Sequence, residues 1–111
     1  MLVSITKAEH GLLLQAAGVA MSAIHARRYA DDGVTPLGRR HTLARMRKHY
    51  RNLAACKGGA VVLRISISLQ GLRIWAAWLG EYMDSIAVWD GLPLELWERA
   101  HAWVGAIRCG C

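Results

Sequence analysis

Along most of this chain apolar residues recur at spacings of three and four, the period of a helix with one buried face. Leu13, Ala17, Ala20 and Ile24 make the first such stripe. Thr6 and Glu9 stand ahead of it at the spacing of a capping box, in which each side chain satisfies one backbone N–H of the first turn. The pattern predicts a helix over residues 7–30, stopped by Asp31-Asp32-Gly33. Pro36 and Gly38 mark Gly33 to Arg40 as a loop. Leu43, Met46, Tyr50 and Leu53 then define a second helix over 42–57, capped by Thr42 and broken by Gly58-Gly59.

The next segment carries two periods at once. Leu63 to Leu69 alternates apolar and polar residues like a half-buried strand, and its β-branched residues agree. Yet Val62, Ile65, Leu69, Leu72, Ala76, Leu79, Met83 and Ile86 form an unbroken 3-4 seam, as in a coiled coil. A strand needs a partner, and only Leu2–Ile5 and Ile86–Trp89 could supply one. The seam predicts a third helix over 60–84, with a short strand at 61–69 as the main alternative. Asp90-Gly91 makes a turn, and Pro93 starts a fourth helix over 93–108 with Leu94, Trp97, His101, Val104 and Ile107 on one face. The expected architecture is an all-α bundle of four helices, one domain over residues 1–111.

Charge changes this picture from a plain bundle to a polarised one. Ten of the fourteen Lys and Arg residues lie between Arg27 and Arg64, opposed only by Asp31 and Asp32. From Glu81 to Glu98 there are five acids and no base. Residues 39–57 contain no acid, although a solvated helix ordinarily mixes both signs. Arg47 and Arg51 repel each other at i,i+4, and Arg39 and Arg40 lie where a helix N-terminus disfavours cations. Something must offset these penalties: phosphate, the carboxylates of a partner, or the chain's own Glu81, Asp84, Asp90, Glu95 and Glu98. Arg39, Arg40, Arg45, Arg47, Lys48 and Arg51 are the candidate partner-binding residues. Eleven of the fourteen bases are Arg, which suits bidentate contacts to phosphate or carboxylate, although a GC-rich gene would give the same bias.

Composition removes several function classes. Phe is absent, and all five Trp follow residue 74, so the second half has a bulky aromatic core. Trp75 and Trp78 flank the seam and cannot both point along it, so one of them is expected at a rim or an interface as an aromatic contact. Three Cys without framework spacing, and no secretory signal, point to a reducing, cytoplasmic setting. The apolar stretches 1–24 and 60–83 are interrupted by charges that a bilayer would penalise, so no membrane partner is expected. Cys109, Cys111 and His101 lack the companion ligands of a metal site, and no cofactor is expected. Neither a glycine-rich phosphate loop nor a nucleophile–base pairing is present, which argues against an enzyme.

What remains is a small non-catalytic binding protein that docks through its basic helix on a protein or nucleoprotein partner. A short, motif-free chain of this kind suits a phage or mobile-element inhibitor of a host nucleoprotein defence complex. Two alternatives stay open. One is direct nucleic-acid binding without sequence specificity, although the first inter-helix loop is too long for a helix-turn-helix. The other is a homodimer or larger homo-oligomer in which the 3-4 seam pairs with its symmetry mate.

Overall fold

Thr6 and Glu9 close their capping box as the spacing requires. The Thr6 amide donates to Glu9 Oε1 at 2.8 Å, and the Glu9 amide donates to Thr6 Oγ1 at 3.1 Å. In the computed structural model, which describes residues 1–27, 36–56, 61–87 and 89–108 but not the side chains of 24–27 and 36–42, this box joins a strand to a helix. The elements run β1 (Leu2–Thr6), α1 (Lys7–Arg27), α2 (Pro36–Ala55), β2 (Val62–Ser66), α3 (Leu69–Ile86) and α4 (Leu92–Arg108). The chain is mostly helical, but it is not all-α.

The departure falls on the segment whose two periods compete. Residues 62–66 form a strand, and Leu2–Thr6 pairs with it antiparallel, Val3 opposite Ile65 and Ile5 opposite Leu63. Those four side chains are buried, while Ser4, Arg64 and Ser66 face solvent. One register therefore satisfies both the backbone groups and the apolar alternation, which a helix over the same residues would not. Ser68 then ends the extended stretch: its hydroxyl accepts from the Gly71 amide at 3.1 Å, capping α3. The helical seam is real only beyond that cap. Leu72, Ala76, Leu79 and Met83 are buried, whereas Val62 and Ile86 are 48% and 43% exposed.

Helix α2 also starts earlier than expected. Pro36 opens it, since a proline's fixed φ and missing N–H suit the first helical position. Thr42 is thus inside the helix and is not its cap, and Arg39 and Arg40 are helical residues. Of the predicted first helix, residues 28–30 lie outside the described residues, as do 57–60 and the loop residues 33–35.

Helix α3 lies at the centre, packed against α1 on one side and α4 on the other, and α2 packs mainly on α1. A helix held between two neighbours must bury more than a narrow stripe. This is why Trp75 and Trp78 are both buried, at 2% and 0% exposure, although Trp75 forms part of the wall of a cleft. The Trp78 indole N–H has no hydrogen-bond partner among the described residues. The burial leaves α3 an exposed strip through Gln70, Arg73, Ala77 and Asp84. Leu72, Ala76, Leu79 and Met83 of the seam are therefore buried inside the fold.

Two long-range ties fix the outer elements. Glu9 is buried at 2% exposure, and Arg99 of α4 pairs with its Oε2 through Nη1 while donating from Nη2 to the Ser4 carbonyl at 2.9 Å. The same guanidinium lies 5.1 Å from the Trp103 ring centroid. On the other side, His10 Nε2 donates to the Leu53 carbonyl at 2.8 Å, holding the end of α2 against α1.

Candidate functional site

Leu43, Met46 and Leu53 of α2 are buried, which turns Arg45, Arg47, Lys48 and Arg51 outward. All four are exposed, and none makes an ion pair or hydrogen bond among the described residues. The side chains of Arg39 and Arg40 lie outside the described residues. The four cations do not act as one set. Arg45 and Lys48 share the helix face turned toward β2 and α3, where both line clefts. Arg47 and Arg51 stand on the opposite flank and line neither cleft.

The first cleft, of about 390 Å³, lies between α2 and the corner where β2 becomes α3. Lys48, His49 and Asn52 come from α2; Arg64, Ser66 and Gln70 come from the other wall. Gly71 makes this corner possible. A Cβ there would stand 2.6 Å from Ile67 Cγ1 and 3.2 Å from His49 Cε1, so only glycine lets α2 and the corner meet. Arg64 projects into the cleft because strand alternation turns it opposite to the buried Leu63 and Ile65. The first turn of α3 also opens here, and its dipole adds positive potential.

A second cleft, of about 620 Å³, shares Gln70 with the first and is bounded by Arg45 and Arg73. A third, of about 470 Å³, shares Arg73 and Ala77 with the second and runs to Trp97, His101 and Arg108 on α4. The Trp97 and His101 rings meet edge to face there, with centroids 4.2 Å apart. Among the described residues, no Asp or Glu lines any of the three.

Of the described acids, none lies on α2 or lines these clefts. Glu95 and Glu98 belong to α4, which makes no contact with α2 among the described residues. Asp84 follows Arg73 by eleven residues along α3, about 16 Å at helical rise. The basic side of α2 therefore faces a groove that no described acid lines, and the acidic stretch runs from the far end of α3 into α4.

Sequence reasoning singled out Arg45 and Lys48 but missed Arg64, Arg73 and Arg108. The first sits at a polar position of the strand alternation, and the second on the side of α3 opposite its seam. Both signals were present, but they could be used only once strand and seam were separated at Ser68. Of Trp75 and Trp78, one of which the sequence places at a rim or an interface, both are buried; Trp75 lines the first cleft and the half-buried Trp97 the third.

Among the described residues, no group of three His, Cys, Asp or Glu side chains is placed to hold a metal ion, and Cys109 and Cys111 lie outside them. Nor is any helix among them long and apolar enough to cross a membrane. Comparison with protein-family models, curated proteins and solved structures finds no match for this chain.

Proposed function

We propose that this chain is a small non-catalytic binding protein that docks on a larger anionic macromolecular partner through α2 and the cations facing it. The observation that carries the reading is that these cations find no compensation among the described residues. Arg45, Arg47, Lys48 and Arg51 are exposed and unpaired among the described residues, on a helix that contains no acid. An acid-free helix forgoes the few tenths of a kcal/mol that each i,i+4 ion pair contributes, and Arg47 and Arg51 add a repulsion of similar size. A partner supplying phosphates or carboxylates to Arg45 and Lys48 offsets the missing pairs. Such a face also steers encounter, because its long-range field attracts an anionic surface before contact.

Heparin, a generic polyanion, provides the test. The quadruple variant Arg45→Ala/Arg47→Ala/Lys48→Ala/Arg51→Ala lowers the net charge by four. The control Lys7→Glu/Gln15→Glu/Ser22→Glu lowers it by the same amount on exposed positions of α1. The α2 variant is expected to elute at clearly lower salt than the control. Equal elution would show that total charge, and not this face, governs binding, and the proposal would fall.

A further inference from the structure

We infer that the groove formed by the three contiguous clefts is a track for the sugar–phosphate backbone of a single-stranded nucleic acid. The inference rests on the docking role proposed above and names its partner. Lys48 and Arg64 stand at one end of the track, Arg45 and Arg73 in its middle, and Arg108 at the α4 end. Between Gln70 and Gly80 alone it follows α3 for about 15 Å at helical rise. Gln70, shared by the first two clefts, and Arg73, shared by the second and third, make it continuous.

The choice between phosphate and a protein's carboxylates turns on where the apolar surface lies. A protein–protein interface places aromatic and aliphatic anchors at its centre and depletes charge there. Here the large exposed apolar side chains are Met1, Leu2, Val61, Val62, Ile86, Trp89 and Leu92, and none lines the groove. The groove mixes apolar walls, among them Met46, Ile74 and Val104, with charged residues that are all cations among the described ones, and that one-signed charge is what nucleic-acid interfaces carry. Its cations are mainly Arg, whose fork matches two phosphate oxygens.

A single strand fits better than a duplex. The cations line recesses between elements, whereas duplex readers raise a helix or ribbon into a groove of the DNA. At the α4 end, Trp97 and His101 border the third cleft with their rings, which gives an unpaired base something to stack on.

Fluorescence anisotropy with a labelled single strand of about 20 nucleotides, and the matching duplex, tests this across a salt series. Five cations on the track predict a slope of log Kd against log salt near 3.5 for the single strand, or about a 100-fold loss of affinity from about 50 to 200 mM. Arg73→Ala and Arg64→Ala, both exposed and expected to keep the wild-type circular dichroism, should each lower the slope by about 0.7. Arg47→Ala/Arg51→Ala, off the track, should leave the slope unchanged. No binding near 50 mM salt, tighter binding to the duplex, or an equal drop in the off-track variant would each overturn the inference. If the oligonucleotide fails while heparin retention still depends on α2, the partner is an acidic protein and the docking role stands. If both fail, the docking role falls as well.

Discussion

Replacing Arg99 by methionine removes a guanidinium that joins α4 to both β1 and the first turn of α1. Its two bonds go to the Glu9 carboxylate and the Ser4 carbonyl, and Glu9 is 3% exposed against 45% for Arg99. Removing one partner of a fully buried ion pair costs about 3–5 kcal/mol, because the other charge is left without compensation. Two features reduce that figure here. Glu9 keeps its bond from the Thr6 amide, and the half-exposed position of Arg99 lets water reach the vacated oxygen. The expected loss is about 2–3 kcal/mol, comparable with one or two hydrogen bonds to a charged group. In urea, with a slope of about 1.5 kcal/mol per M, the midpoint should fall by about 1.5 M with the slope unchanged. Arg99→Lys retains the charge but cannot fork to both acceptors, so it should lose about half as much. Combining Arg99→Met with Glu9→Gln should show a coupling of at least about 1 kcal/mol, since the two side chains are in contact. A loss below about 0.5 kcal/mol, or simple additivity, would refute the view that this pair fixes α4 against the sheet.

Other substitutions probe the corner that shapes the groove. Gly71→Ala forces a methyl into Ile67 and His49 and should cost about 1–3 kcal/mol despite alanine's better helix propensity, measured as a urea midpoint shift. Ser68→Ala removes the α3 cap and should cost about 1 kcal/mol by the same assay. Leu79→Ala, at the fully buried centre of α3, should cost about 2–5 kcal/mol and lower the thermal midpoint accordingly. By contrast, Arg47→Ala/Arg51→Ala relieves a like-charge i,i+4 pair and should hold or raise the thermal midpoint slightly.

What could be read from the sequence was local. The capping box needs only residues three apart, and Thr6 and Glu9 form it as the spacing implies. The stripes of α1 and α2 likewise place Leu13, Ala17, Leu43, Met46 and Leu53 in the core. The misread segment failed for a physical reason. A 3-4 seam and a period-2 strand coincide at some positions over a short window, so Ile65 and Leu69 satisfied both. Only pairing with Leu2–Thr6, some sixty residues away, decides between them. The same holds for Glu9, whose partner Arg99 lies 90 residues on. The groove was half legible: the acid-free helix stands out in the sequence, but Arg64, Arg73 and Arg108 join it only through the corner at Ser68 and the crossing of α3 by α4. Trp75 and Trp78 misled because a central helix buries two flanks, which a single stripe does not reveal.

The central claim, that the basic side of α2 and the groove beside it form the docking face, is tested most directly by mapping where a polyanion binds. Titration of the isotopically labelled protein with a short heparin oligosaccharide, followed by amide NMR shifts, should perturb Arg45, Lys48, His49, Arg64, Gln70 and Arg73. The turn at Ile86–Leu92 and the exposed face of α1 should stay still. Shifts centred on that turn, or spread evenly over every exposed cation including Lys7, would contradict the account.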